Sequence, residues 1–347
     1  MKIQTVTGEI SKENLGIVTP HEHIFIDLSV FYKRREIKGF DNREDVKVTI
    51  DKLGVLNRDP YALKDNLIID NFEQQVEEIN RFKNAGGTTI VDATTIGIGR
   101  DPQALKKIAV ETGLNIIAGA GYYVGSAHPE SLAKMTVDEI AEKIICEITT
   151  GIDNTNIRAG VIGEIGISEV FNDSERKVLK ASAKAQLKTG LGILVHINPW
   201  TTNGLEATEI LISEGVQPDR ICVCHVDVEY NKEYLNELLK MGVYIEFDNF
   251  GKEYYVDKEA RRKGYGLFIS DRERIDIIRN IISDGFLENI LISCDVCLKT
   301  LLRAFGGWGY DHVLLNVVPM MEEAGITKEQ IDFMLRINPA NFLCGRK

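Results

Sequence analysis

The segment Gly16-Ile17-Val18-Thr19-Pro20-His21-Glu22-His23 decides the fold, because a short apolar run ends in two histidines spaced two positions apart. Side chains alternate between the faces of a strand, so His21 and His23 point to one face and Glu22 to the other. Polar residues at the carboxyl end of an apolar strand are typical of the catalytic face of a βα barrel. A His-x-His pair alone is weak evidence for a metal site, so the residues at the other strand ends must decide whether one is present.

Eight short apolar or β-branched runs recur along the chain, and a helical stretch follows nearly every one of them. The predicted strands are 16–19, 88–93, 115–119, 159–164, 192–196, 221–225, 243–248 and 289–295. A helix is predicted over Phe72–Asn84, and capping boxes at Thr136 and Thr327 predict two more helix starts. Eight βα units favour a closed (β/α)8 TIM barrel of the α/β class, with an open doubly wound sheet as the alternative.

Two long connections interrupt this alternation of strands and helices, at residues 28–70 after the first strand and 249–270 after the seventh. The second contains Tyr254-Tyr255 and the basic cluster Arg261-Arg262-Lys263. Long βα loops lie on the catalytic face of a barrel and shape its substrate pocket, so we expect this role for both connections. The alternative is that both are solvated insertions. We therefore expect one domain over 1–347, a barrel with two insertion loops.

The charge balance limits the partners of the chain, since its 347 residues carry a net charge of −11. An acidic chain is a poor partner for nucleic acid or anionic lipid, which basic patches bind. The start, Met1-Lys2-Ile3-Gln4, has no apolar signal-peptide region, and no apolar run approaches the roughly 18 residues of a membrane span. We expect a cytoplasmic protein with six reduced cysteines and a small-molecule substrate.

Four later strands also end in residues that ligate metals. These residues are Glu164, His196, His225 and Asp295. An isolated imidazole or carboxylate in an apolar strand is costly to bury without a partner. We therefore expect all four to converge with His21 and His23 on one site; the alternative is six separately satisfied core groups.

The six residues form too large a ligand set for one tetrahedral ion. Imidazoles and carboxylates together suit zinc, with manganese, cobalt and iron as alternatives. Such a set fits two divalent ions per chain, about 3.5–4 Å apart. Glu164 is predicted to bridge them because its two oxygens can each bind one ion. Asp295 could ligate one ion and also accept the proton of the attacking water.

With these residues in place, nearly the whole chain resembles the phosphotriesterase family of the amidohydrolase superfamily, and within it the phosphotriesterase-related and phosphotriesterase homology proteins. The motifs that carry the resemblance are Thr19-Pro20-His21-Glu22-His23, Asp92-Ala93-Thr94-Thr95, Gly99-Arg100-Asp101, Gly119-Ala120-Gly121-Tyr122-Tyr123, Gly163-Glu164-Ile165-Gly166, Gly306-Gly307-Trp308-Gly309-Tyr310-Asp311-His312, Val318-Pro319 and Asn338-Pro339.

The resemblance implies a distorted (β/α)8 barrel with a binuclear metal centre and a metal-bridging hydroxide as nucleophile. It assigns the more buried ion to His21, His23 and Asp295, and the more exposed ion to His196 and His225. The well-known phosphotriesterases bridge their metals with a carboxylated lysine, whereas this chain has Glu164 there. No carbamate is therefore expected. A homodimer is implied by the resemblance alone.

Tyr123 and Cys294 also matter in this comparison. Tyr123 matches a tyrosine that reaches the metal site in the family's lactonases, so it is predicted to position substrate. Cys294 stands where many relatives have histidine, and alternation places it toward the helices. The C-x-x-C spacing of Cys294 and Cys297 could indicate redox or zinc chemistry, but packing cysteines are favoured.

The basic residues give weaker signals. An anionic substrate group could be met by Lys252, Arg261, Arg262 or Arg303. Taken singly, each is expected to be a solvated surface position. Arg100 could either pair with an acid or orient a ligand.

Three classes of function compete. The leading hypothesis is hydrolysis of a carboxylic ester, with a small lactone as the expected form, and the alternative is hydrolysis of small N-acyl amino acids or sulfonates. A non-catalytic ligand-binding barrel would lack ligands, whereas all six positions are filled here. A nicotinamide oxidoreductase would need a glycine-rich first βα turn, which instead carries His21 and His23.

Overall fold

The computed structural model describes residues 2–32, 34, 36–254 and 268–345. Its centre is an eight-stranded sheet in which the strands follow one another in chain order, and each registered pair of neighbours is parallel. The strands are β1 (Val18–Glu22), β2 (Thr89–Asp92), β3 (Asn115–Ala120), β4 (Val161–Ile167), β5 (Ile193–Ile197), β6 (Ile221–Val223), β7 (Tyr244–Phe247) and β8 (Ile290–Ile292).

The first and last strands meet through hydrogen bonds near the carboxyl end of the sheet. The Ser293 hydroxyl donates to the carbonyl of His21 at 2.5 Å, and the Asp295 N–H donates to the same oxygen at 3.3 Å. The sheet is therefore nearly closed, which confirms the predicted (β/α)8 barrel over the open sheet.

Two strands end earlier than predicted, because the backbone turns at the candidate ligand. His225 and Asp295 have φ angles of 58° and 46°, whereas a strand requires a strongly negative φ. These residues therefore leave the ladder after β6 and β8. Such left-handed backbone is unusual outside glycine and clusters at functional sites.

Helices cover the outside of the barrel and begin where the sequence indicates. Capping boxes are present at Thr136 with Glu139 and at Thr327 with Gln330, as predicted. The described α-helices are Leu53–Leu56, Phe72–Asn84, Pro102–Thr112, Val137–Thr149, Asp173–Thr189, Asn203–Ser213, Lys232–Met241, Asp271–Ser283, Val318–Glu323, Lys328–Asp332 and Asn338–Cys344. No helix in these ranges is both long and apolar enough to cross a membrane.

The core has two layers that follow the alternation of strand side chains. One face of the strands packs against helices, and Cys294 belongs to this layer as expected. The other face fills the barrel interior with residues such as Val91, Leu194 and Tyr244. Phe342, from the last helix, packs edge-on against Tyr244 with ring centroids 5.6 Å apart and joins this inner layer.

The first insertion, 28–70, is packed rather than only solvated. The short strands Ile26–Asp27 and Ile68–Ile69 pair antiparallel and join its two ends. Val48, Leu56 and Leu63 contribute to a small apolar cluster of its own. In the second insertion, Tyr255 and the basic cluster Arg261-Arg262-Lys263 lie outside the described residues.

Candidate metal centre

All six predicted ligands converge at the carboxyl end of the barrel, with Glu164 at the centre of the group. Its Oε2 lies 2.9 Å from His196 Nδ1 and 3.4 Å from both His21 Nε2 and His225 Nε2. Its Oε1 lies 3.3 Å from His23 Nε2. One carboxylate on β4 therefore faces all four histidines, which is the position that the sequence predicts for a bridging ligand.

Asp295 approaches the same group from the end of β8. Its Oδ1 lies 3.1 Å from His23 Nε2 and 3.9 Å from His21 Nε2. The histidine side chains differ in burial, since that of His21 is 0% exposed and that of His196 is 16% exposed. The group therefore has a buried half and a more open half.

The donor atoms are suited to cations. The ligand atoms of His21, His23 and Asp295 lie within 4.8 Å of one another, and so do those of His21, Glu164 and His225. His21 Nε2 is buried and makes no hydrogen bond with the residues that the structure describes. An imidazole nitrogen buried without a hydrogen bond beside carboxylates is the arrangement that a bound cation would complete.

Three of the histidines have an oxygen-bearing partner on the nitrogen that faces away from the centre. The contacts are His23 Nδ1 with Thr94 Oγ1 at 2.9 Å, His225 Nδ1 with Asp248 Oδ1 at 3.0 Å, and His21 Nδ1 with Glu246 Oε2 at 3.2 Å. When the outer nitrogen donates its proton to such an oxygen, the inner nitrogen is left with a free lone pair.

The sequence analysis missed Glu246 and Asp248, although a signal was present. They lie two positions apart along β7 and its end, in step with the inward-facing Tyr244. The alternation rule that selects His21 and His23 would have placed both carboxylates inside the barrel.

Electrostatics at the centre favour bound positive charge. Burial opposes ionisation of Glu164, but the His196 and His21 imidazoles outweigh it and hold the pKa of this carboxyl well below its usual range. Burial likewise disfavours charged His225, yet Asp248 and Glu164 raise its pKa to about 10. Without a metal the carboxylates thus attract protons onto His21, His23 and His225, and a cation that binds here must displace those protons. Burial lowers the pKa of His196 instead.

Lys252 is the main correction to the sequence analysis, which assigned it to the solvated surface. The residue is buried, and its Nζ donates to Asp295 Oδ2. Gly251 has a φ of +85°, and its N–H donates to Asp271, so the chain turns back over the barrel end. Burial alone would lower the pKa of Lys252, but Asp295 raises it well above its ordinary value. The ammonium is therefore charged.

Arg303 and Arg100 are engaged in ion pairs. Arg303 Nε lies 2.9 Å from Asp311 Oδ1, and Arg100 pairs with Glu147 at 2.7 Å and Asp153 at 2.6 Å. Of the two roles left open for Arg100, pairing with acids is the one that the structure shows.

Tyr123 lies at the more open side of the centre. Its hydroxyl is 3.3 Å from His196 Nε2, and the two ring centroids are 4.7 Å apart. Burial and the nearby Glu164 carboxylate raise the pKa of Tyr123 well above its ordinary value, so the phenol stays protonated. A cavity of about 380 Å³ opens beside His225 and is lined by residues that follow β5 and β6, including Trp200, Asn203 and Asn231.

The family model of the phosphotriesterases matches residues 1–343 of this sequence. The chain belongs to the phosphotriesterase family. An N-acetyltaurine hydrolase of Xenopus tropicalis is 37% identical to this phosphotriesterase-family chain, over 99% of the chain and 97% of that protein. The family and this relative identify the chain as a hydrolase that acts on small molecules.

Two solved structures share the fold of this family member along nearly its whole length. A resiniferatoxin-binding protein from Rhodobacter sphaeroides superposes with a TM-score of 0.94 at 32% identity, covering 99% of this chain and 94% of that one. A lactonase from Listeria monocytogenes superposes with a TM-score of 0.80 at 25% identity and covers both chains completely.

Proposed function

We propose that this hydrolase cleaves the amide bond of small N-acyl amino acids or N-acyl sulfonates, using two divalent cations at the carboxyl end of the barrel. The observation that carries the proposal is the convergence of four imidazoles on Glu164, with the buried Lys252 ammonium beside them. Identity of 37% to an N-acetyltaurine hydrolase along the whole chain supports the amide substrate over the ester that led the sequence analysis.

The six candidate ligands would bind two cations. His21, His23 and Asp295 would hold the more buried one, His196 and His225 the more exposed one, and Glu164 would contribute to both. Zinc suits this donor set, with manganese, cobalt and iron as alternatives. Bound there, the ions would lower the pKa of a water molecule and polarise the scissile carbonyl.

Asp295 is the proposed general base and acid. Its Oδ1 faces the histidines, while its Oδ2 is held by Lys252. From this position the carboxylate can accept the proton of the attacking water and deliver it to the departing nitrogen, which an amide requires because an amine leaves poorly without protonation. Tyr123 is proposed to donate its phenol proton in a hydrogen bond to the bound substrate.

Lys252 is proposed to recognise the anionic end of the substrate. An ammonium group has three N–H donors, and the contacts with Asp295 and Cys297 use two of them. A carboxylate or sulfonate could accept another without displacing Asp295. An uncharged lactone would not use this donor.

Lactone hydrolysis is the second candidate. The structural similarity to a lactonase and the contact of Tyr123 with His196 favour it. Protein freed of metal and reloaded with zinc should be tested with N-acetyltaurine, other N-acetyl amino acids and a set of lactones. We expect about two ions per chain and at least a tenfold higher kcat/KM for an N-acyl substrate than for any lactone. A preference for lactones would overturn the amide assignment, and full activity without metal would overturn the mechanism.

A further inference from the structure

Glu246 lies beneath the candidate metal centre, inside the barrel. It belongs to β7, is 0% exposed, and its Oε2 lies 3.2 Å from His21 Nδ1. Its other oxygen, Oε1, finds no hydrogen-bond donor in the described ranges of the chain. The Cys222 thiol, at 3.9 Å from Oε2, is only a weak additional contact.

We propose that Glu246 is a positioning residue that makes His21 a metal ligand. By accepting the Nδ1–H of His21, the carboxylate would keep the proton on the outer nitrogen and the Nε2 lone pair toward Glu164 and Asp295. The contact would also orient the ring. This inference rests on the proposed function to the extent that the centre must bind cations.

The surroundings of Glu246 argue against a purely structural carboxylate. A buried charge is costly unless it is paired, and an apolar residue of similar size would suit the inner core without that cost. Asp248, by contrast, accepts from the His225 N–H and from Asn249, so it also constrains the local backbone. Among the residues that the structure describes, Glu246 accepts no backbone N–H, and its close contact is with His21.

A separate cation site is the competing interpretation. His21 Nδ1, Cys224 Sγ and carboxylate oxygens of Glu246 and Asp248 lie within 4.8 Å of one another. A cation there would share His21 with the centre above, which requires an imidazole that has lost both N–H protons. Asp248 Oδ2 lies 3.6 Å from His21 Nδ1, farther than Glu246, and Asp248 already accepts hydrogen bonds from His225 and Asn249. The geometry therefore favours positioning over ligation.

The test compares Glu246→Leu, which removes the acceptor, with Glu246→Gln, which keeps an acceptor oxygen but no charge. Zinc stoichiometry and affinity are measured by competition with a chromophoric chelator. Residues that hydrogen-bond to a metal ligand typically contribute about 10–100-fold to metal affinity. We expect Glu246→Leu to weaken the binding of one of the two zinc ions by about that factor. Glu246→Gln should weaken the binding of the same ion by a smaller factor. Thermal denaturation of the metal-free proteins shows whether each variant is folded.

Glu147→Gln is the matched control. Glu147 is also buried and ion-paired, but with Arg100, so this variant should lose stability without losing zinc affinity. Wild-type affinity in Glu246→Leu would overturn the proposal. If that variant does not fold, unchanged affinity in Glu246→Gln overturns it instead. Three ions in the wild type and two in Glu246→Gln would make Glu246 a ligand, which also overturns it. A wild type that binds no ion would contradict the proposed function itself.

Discussion

The two ends of the barrel are built from the same strands but differ in chemistry. The inner core includes Phe342, Leu343, Ile3 and Leu15, which come from the chain termini and pack with the apolar strand residues. The carboxyl end gathers imidazoles, carboxylates and one buried ammonium. Apolar packing stabilises a fold, whereas converging charges cost stability unless a ligand or partner compensates them. Stability and function should therefore be separable along the barrel axis.

The largest expected effect is at the functional end. Glu164→Ala removes the group that faces all four histidines, so zinc content should fall and kcat/KM should drop by at least about 10⁴-fold, since metals lower the pKa of bound water from about 15.7 to about 7. Metal analysis and steady-state kinetics measure both. Glu147→Ala, at a buried carboxylate paired with Arg100, serves as the control and should keep its zinc. Full metal content in Glu164→Ala would remove Glu164 from the ligand set.

The converse effect is expected in the apolar inner core. Phe342→Ala leaves a cavity beside Tyr244, so the free energy of unfolding should fall by about 3–5 kcal/mol. Urea denaturation of the metal-free protein measures this change. Zinc affinity of the folded variant should stay within about threefold of wild type, because Phe342 packs in the apolar inner core and mutations at separate sites usually act independently. A large loss of affinity would show that the two ends are coupled.

A smaller effect is expected at Lys252. Lys252→Met removes a charged donor, and hydrogen bonds to charged groups contribute about 1.5–3 kcal/mol, so kcat/KM for N-acetyltaurine should fall roughly 10–100-fold. An uncharged N-acetyl amide of similar size should lose much less. Equal losses for both substrates would mean that Lys252 acts only through Asp295.

The smallest effect is expected in the first insertion, at Asp65. This carboxylate accepts from Lys299 Nζ at 2.7 Å and Lys47 Nζ at 2.9 Å. Burial opposes its ionisation, but Lys299, the Val48 N–H and Lys47 lower its pKa below the ordinary value. Because the folded pKa is the lower one, the stabilisation is present above the unfolded pKa of about 3.9 and is lost as the pH falls through the folded pKa.

Asp65→Asn should therefore lower the free energy of unfolding by roughly 1 kcal/mol at pH 7, since the amide still accepts one hydrogen bond. The difference from wild type should shrink as the pH falls below about 4. Urea denaturation at pH 7 and at pH 3.5 measures it. A difference that is independent of pH would mean that the carboxylate charge contributes nothing.

The fold was predictable because strand and helix periodicities repeat eight times along the chain. The candidate ligands were predictable for a related reason, since polar residues at the ends of apolar strands must meet where a barrel closes. Lys252 was not predictable, because a lysine in a long loop carries no periodic signal. Its burial depends on the turn at Gly251 and on Asp295, a residue 43 positions away.

The amino-acid sequence thus specified the barrel, the strand that carries or directly precedes each candidate ligand and the glutamate at their centre, because these follow from local alternation and from chain order. The tertiary structure alone showed which nitrogen of each histidine faces inward, that Lys252 holds Asp295, and that Glu246 lies against His21. Those features depend on contacts between residues far apart in the chain, and the pairing of such residues is set only when the barrel closes and brings their charges into a shared, water-poor interior.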